Sequence, residues 1–305
     1  MNELRFDGQV AIVTGAGRNL GRAYALLLAS RGAQVVVNDL GVGISDTDGR
    51  ADAPPTNPAF DVVAEIEASG GEAVADTSSI TDTDGPVVQA AIEHFGRVDI
   101  LINNAGVVRQ APVGEYSDEK CRAMTDTHLL GTMNVTRAAW PHMASQGGGR
   151  IVNLSSGSGL IGISGMTMYG AVKLGVVGMT RGMAVEGRPL GIFVNVVAPQ
   201  ASVRGNDFGR LAWTPALAEW LSPEQVSGVV AFLAHPSCPT TGELFNVGGG
   251  LVSRVVLAAS EGVAERPMTI EAVAAHWDEI MAQPVVEVPA GRPFGVKMMQ
   301  GYRPG

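Results

Sequence analysis

Tyr169 and Lys173 stand four residues apart in the run Met168-Tyr169-Gly170-Ala171-Val172-Lys173. On a helix, residues at i and i+4 share one face and lie a turn apart. A phenol beside a fixed ammonium is biased toward its anion, which suits proton transfer near neutral pH. The chain has four tyrosines and three lysines in 305 residues, so such a pair arises by chance about once in 25 chains. Spacing alone therefore leaves an ordinary exposed aromatic–cation contact open, and the surrounding elements must decide.

The first apolar run leads straight into Thr14-Gly15-Ala16-Gly17-Arg18-Asn19-Leu20-Gly21, and a helical pattern follows. Glycines there let the backbone approach a pyrophosphate, while a helix N-terminus offers unpaired N–H groups and a positive dipole end. Gly15, Arg18, Asn19, Leu20 and Gly21 are thus candidate cofactor contacts. The bland alternative is a tight strand-to-helix connection; the position between a first strand and a first helix weighs against it. The next strand ends at Asn38-Asp39. A carboxylate there can accept both ribose hydroxyls and repels a 2′-phosphate, which favours NAD over NADP. Arg18 pulls the other way, but the repulsion at Asp39 selects more directly.

Positioning these groups requires strands and helices in alternation. Strand candidates are Val10–Val13, Gln34–Asn38, Ala73–Ala75, Ile100–Asn103, Arg150–Leu154, Phe193–Val197 and Leu244–Val247. Several are apolar throughout, as in strands covered on both faces. Helical periodicity marks 20–30, 60–69, 85–95, 118–145, 167–187 and 223–234. The pattern predicts an α/β, doubly wound Rossmann fold with a seven-stranded parallel sheet and right-handed crossovers. Gly41–Pro58 reads as a long loop. The expected organisation is one domain over 1–260 and a C-terminal extension over 261–305, in which Thr269–Met281 reads as a helix capped by Thr269.

With 46% hydrophobic and 17% charged residues, the chain can fill a large core and does not have a disordered composition. A net charge of −9 argues against non-specific nucleic-acid binding, which needs a basic surface, yet permits an anionic cofactor held locally. Cys121 and Cys238 are too few for a disulfide framework or a structural zinc site and read as reduced thiols. No His/Cys cluster has metal-ligand spacing. No stretch approaches eighteen uninterrupted apolar residues, and Met1–Phe6 lacks the apolar core of a signal peptide. The expectation is a soluble, cytoplasmic protein without a membrane partner.

Further residues make the chain resemble a short-chain dehydrogenase/reductase over about residues 5–255. They are Asn103-Asn104-Ala105-Gly106 after the fourth strand, Ser155-Ser156 after the fifth, and Asn195-Val196-Val197-Ala198-Pro199 at the sixth, with the Tyr169/Lys173 pair between. Within that family the chain is similar to the (3R)-hydroxyacyl-CoA dehydrogenase module of peroxisomal multifunctional β-oxidation enzymes. The runs Gly21-Arg22-Ala23-Tyr24-Ala25-Leu26, Val37-Asn38-Asp39-Leu40-Gly41, Thr136-Arg137-Ala138-Ala139-Trp140 and Ala184-Val185-Glu186-Gly187-Arg188 carry that likeness, and Thr269–Trp277 extends it into the tail. There are departures. Asn19 replaces a usual glycine, His128 stands where most members have asparagine, Ser78 or Ser79 where an adenine-contacting Asp is expected, and Arg204 where a Thr is expected.

The resemblance implies a role for each residue. Tyr169 would be the general acid/base, Lys173 would depress its pKa and hold the nicotinamide ribose, and Ser156 would polarise the substrate carbonyl. His128 is either a holder of a relay water or a packing histidine bonded to a backbone carbonyl. Asn104, Ala105, Gly106 and Pro199 would contact cofactor, with the Val197 backbone and Ser202 at the nicotinamide amide. Asn153 reads as structural. The substrate would be a small hydroxy or keto compound, of the 3-hydroxyacyl-CoA type or a lipophilic secondary alcohol such as a steroid or terpenoid. Its selection would lie in a lid over 200–222, with Phe208, Leu211, Trp213 and Trp220 apolar and Arg204 and Arg210 beside them. A homodimer or homotetramer through 118–145 and 167–187 is implied, as is a tail that covers the active site of its own or a neighbouring subunit. A non-catalytic NAD-binding sensor or scaffold is the rival class. A hydrolase lacks a complete nucleophile elbow at Gly162–Met166, and no lysine fits a P-loop.

Overall fold

Strand β1 (Val10–Thr14) is buried along its whole length, as its unbroken apolar sequence requires. The computed structural model describes residues 3–41, 56–201, 219–260, 262–282 and 285–291. Two compact units divide the chain, Met1–Arg254 and Val255–Gly305. The division falls a few residues before the expected 260, because Ala258–Ser260 pairs inside the second unit.

The first unit is built on β1, β2 (Gln34–Asn38), β3 (Glu72–Asp76), β4 (Ile100–Asn103), β5 (Gly149–Leu154), β6 (Ile192–Pro199), β7 (Leu244–Gly248) and β8 (Leu251–Val255). They form one sheet in the order β3-β2-β1-β4-β5-β6-β7-β8. Strands β1 to β7 pair in parallel, with Val13 opposite both Val37 and Ile102, and Leu154 opposite Val197. The α/β doubly wound class is therefore as expected, but the sheet has eight strands and not seven. Strand β8 joins β7 through Gly249-Gly250, whose φ values of 56 and 74 are those of a two-residue hairpin turn. Its exposed and half-buried residues carry no buried-strand signal.

Helices cover both faces. On one side α1 (Asn19–Ser30), α2 (Pro58–Ala68) and α8 (Glu224–Ala234) bury Tyr24, Leu28, Val62, Ile66, Val226 and Val230 against the sheet. On the other, α3 (Pro86–Phe95), α5 (Thr132–Ser145) and α7 (Thr167–Gly187) bury Val87, Val88, Val135, Ala139, Met143 and Ala184. The helical stretch expected over 118–145 is interrupted: α4 (Asp118–Thr125) leads to α5 through a π-helical turn at Asp126–Gly131 that contains His128. A short α6 (Gly157–Ile161), capped by Ser156, follows β5.

Strand order reverses between β1 and β4, so the loops leaving the carboxyl ends of these strands diverge and open a crevice between them. Every candidate site residue within the described segments, Val197 excepted, lies at or just beyond a strand's carboxyl end or on the helices facing it. Among the described residues no helix is long and apolar enough to cross a membrane.

In the second unit β9 (Ala258–Ser260) pairs antiparallel with β10 (Val285–Glu287). Thr269 caps α9 (Ile270–Ala275) by accepting from the Ala272 N–H at 3.1 Å. The single helix expected over Thr269–Met281 breaks at His276, after which α10 (Trp277–Ile280) begins.

Candidate active site

The Thr14 hydroxyl lies where the two halves of the sheet diverge. It accepts from the backbone N–H groups of Asn104 and Ala105, each at 3.0 Å, and donates to the Ile102 carbonyl at 3.3 Å. The Asn104 side-chain amide donates to the carbonyls of Thr14 at 2.9 Å and Gly15 at 3.0 Å. Asn104 thus holds the glycine loop in place, and it lines the cleft with Ala105 and Gly106. A Cβ on Gly15, at φ +62, would lie 2.8 Å from the Ala105 Cα, and one on Gly21 would collide with the Gly15 carbonyl. Asn19 has φ 48, alone among described non-glycine residues in the left-handed region. Asparagine tolerates that region well, so the backbone expected of the missing glycine is kept. Helix α1 starts after an extended Arg18 with no side-chain cap, leaving its first N–H groups available to an anion.

At the end of β2 the Asp39 carboxylate accepts from the Gly17 and Gly41 N–H groups, both at 2.9 Å. It stands at the margin of a cleft of about 310 Å³ whose lining includes Gly15, Arg18, Asn19, Leu20, Gly21, Ser78 and Ser79. Ser78 donates to the Asp76 carboxylate at 2.6 Å, and the Asn38 amide donates to the same oxygen at 2.6 Å. Asp76 was absent from the expected site; its placement at a strand's carboxyl end was the available signal.

The other half of the cleft is lined by His128, Ser156, Tyr169, Lys173 and Pro199. Lys173 is buried, donates to the Leu154 carbonyl at 2.8 Å, and lies 5.7 Å from the Tyr169 ring centroid. Desolvation lowers its pKa to about 7. Burial pushes Tyr169 up to about 12, opposed by a hydrogen bond with Ser156. Removal from water is the larger of the two influences on the phenol. Ser156 also accepts from the Ser158 N–H at 3.2 Å, which fixes it as the cap of α6. Ser155, its neighbour, donates to the Lys173 carbonyl at 2.8 Å and so locks β5 onto α7.

His128 is buried, with Nε2 2.7 Å from the Val107 carbonyl and its ring edge-on to Tyr169 at 5.4 Å. Burial and then the Lys173 charge hold its pKa well below the ordinary histidine value, against the Val107 bond, so the ring is neutral. The carbonyl bond is the one the packing alternative requires. Asn153 is fully buried, accepts from the Asn103 amide and donates to Thr180, each at 2.9 Å, as a structural residue would.

Val197 is not brought to the cleft. It is fully buried inside the sheet, and its carbonyl accepts from the Ser155 N–H at 2.7 Å. Ala201 lines the cleft beyond Pro199. Ser202, Arg204, Phe208, Arg210, Leu211 and Trp213 lie outside the described residues, whereas Trp220 is described and exposed. Among the described residues no group of His, Cys, Asp and Glu could hold a metal ion.

Known proteins resemble this chain in sequence and in fold. The profile of the family described as short chain dehydrogenase matches residues 9–203. Mouse peroxisomal multifunctional enzyme type 2 is 42% identical over 281 residues, 91% of this chain but 37% of that protein, so the chain spans well under half of this relative. A 3-oxoacyl-(acyl-carrier-protein) reductase of Synechocystis is 38% identical over 80% of this chain and 97% of its own. The structure of carveol dehydrogenase from Mycobacterium avium in complex with NAD has a TM-score of 0.70 at 27% identity, covering 80% of this chain and 97% of that one. With its strand order, its glycine loop and its Ser156, Tyr169 and Lys173 gathered on one cleft, the chain belongs to the short-chain dehydrogenase family.

Proposed function

We propose that the chain is an NAD-dependent oxidoreductase that interconverts a secondary alcohol and a ketone, with a 3-hydroxyacyl thioester as its substrate class. The convergence of Ser156, Tyr169 and Lys173 on the same cleft as the glycine loop and Asp39 carries this reading. The residues fit a dinucleotide. A Cβ would fill the space above Gly15, the α1 terminus has no competing side chain, and the Asp39 carboxylate faces the loop at the end of β2. Gly15 to Gly21 would hold the pyrophosphate, Asp39 the adenosine ribose, and Lys173 the second ribose.

When bound, the nicotinamide supplies or takes up the hydride. Tyr169 exchanges the proton at the substrate oxygen, and Ser156 donates to that oxygen as negative charge develops on it. Lys173 protonation stabilises the tyrosinate electrostatically, and an anion entering the cleft favours that protonated state. Neutral His128 orients the Tyr169 ring without adding charge.

The substrate class is supported by the likeness to a 3-oxoacyl reductase and to a multifunctional peroxisomal enzyme. The likeness to carveol dehydrogenase favours a second reading, a lipophilic alcohol without a thioester carrier. Incubation with NAD or NADP and a panel of 3-hydroxyacyl-CoA esters, steroid alcohols and terpenoid alcohols, followed by reduced-cofactor absorbance, separates these. Fastest NAD reduction with the acyl-CoA esters is expected. Cofactor binding without turnover on any panel member would instead indicate a sensor or scaffold.

A further inference from the structure

The segment 107–117 leaves the cleft, where Val107 and Val108 form part of its wall, and runs to the start of α4. Side chains and backbone fasten it along its length. His128 meets the Val107 carbonyl at 2.7 Å, and the Lys120 ammonium donates to the Gln110 carbonyl at 3.2 Å. The Ala111 N–H and the Tyr116 hydroxyl both donate to one acceptor, the Gly165 carbonyl, at 3.0 Å and 2.9 Å. The Tyr116 oxygen is also 3.4 Å from the Arg109 carbonyl, but its single proton serves the nearer partner.

Gly165 adjoins Met166, the residue before α7, and Tyr169 stands in the first turn of that helix. The Met166 carbonyl accepts from the Gly170 N–H at 2.7 Å, so two successive carbonyls at the entry to α7 are engaged. Gly165 has φ +76, a freedom that glycine alone enjoys without cost, so the two donors aim its carbonyl.

We propose that Tyr116 is a positioning residue that, through the Gly165 carbonyl, fixes the first turn of α7 and hence the Tyr169 hydroxyl against the 107–117 segment. This rests on Tyr169 being the acid/base, for which small displacements of the reacting oxygen are costly. Tyr116 does not itself line the cleft. The Ala111 N–H stays on the Gly165 carbonyl when the phenol oxygen is removed, so no buried acceptor is stranded and the variant should fold.

Tyr116→Phe in the full chain is read by turnover, by cofactor Kd and by amide exchange. A lost net hydrogen bond corresponds to about a fivefold fall in kcat, with cofactor Kd unchanged. Exchange is expected to quicken in peptides covering 109–113 and 163–170 and nowhere else in Met1–Arg254. Unchanged exchange at 163–170, uniformly faster exchange, an unchanged kcat, or a matching loss of cofactor affinity would each overturn the proposal. If the parent chain turns over no alcohol, the functional reading fails, while the exchange measurement still decides the coupling.

Discussion

Lys173 directs its ammonium at a single carbonyl, that of Leu154 at 2.8 Å, with no carboxylate recorded as an ion-pair partner among the described residues. A buried cation with so little compensation gives up its proton more readily, and its pKa falls from 10.5 to about 7. Below pH 7 the lysine is protonated in folded and unfolded chains alike, and the desolvation cost is fully present. Between about 7 and 10.5 the unfolded chain still holds the proton and the folded chain does not, so this group makes stability rise with pH. Lys173→Met is therefore expected to be more stable than the parent near pH 6.5, with the gap closing toward pH 10; urea titrations at several pH values measure it. A gap independent of pH would show that the lysine is not desolvated. The same burial lifts Tyr169 to about 12 and keeps His128 neutral, so near neutral pH the proton sits on the phenol.

A buried polar chain connects the elements behind the site. Thr136 on α5 accepts from Asn103 on β4, Asn103 donates to Asn153 on β5, and Asn153 donates to Thr180 on α7, at 2.9 to 3.0 Å. Asn153→Ala leaves Asn103 and Thr180 short of partners and should cost about 3 kcal/mol of stability. Because Asn153 does not line the cleft, kcat per folded molecule should hold; a stable variant with lost kcat would place it in the chemistry instead. Much of this layer was legible in sequence. The strands β1, β4 and β6 are apolar because both their faces are covered, and the site residues follow directly where those runs stop. Strand β8 was not legible, since Leu251 and Val252 face outward and a two-glycine turn reads as a loop. Nor was the π-helical turn around His128, whose backbone registry has no residue signature, nor the break at His276. Asp76 is signalled by its place at the end of β3, whereas Tyr116 was not legible, because it acts on the Gly165 carbonyl at a distance that only the folded chain creates.

At the scale of the whole molecule, the first unit presents apolar side chains that its own core does not use. Leu130 and Met133 stand at the junction of the π-helical turn and α5, and Leu174 and Val185 lie on α7; all are exposed. We propose that these elements pair with a second copy, giving a homodimer or homotetramer. Light scattering is expected to return two or four times 31.6 kDa; a monomer at micromolar concentration would contradict it. The second unit has its own antiparallel pair, its capped α9 and a hydrogen bond from Ser260 to the Ile280 carbonyl at 2.8 Å, so it contributes ordered structure of its own.

The proposed chemistry depends on Tyr169 moving the proton at the substrate oxygen. The most direct measurement compares Tyr169→Phe with the parent chain for NAD affinity and for turnover of the best alcohol of the panel. Loss of at least a thousandfold in kcat with NAD Kd within a few-fold is predicted, since the general acid/base vanishes while the glycine loop and Asp39 remain. Turnover within tenfold of the parent would contradict the assignment.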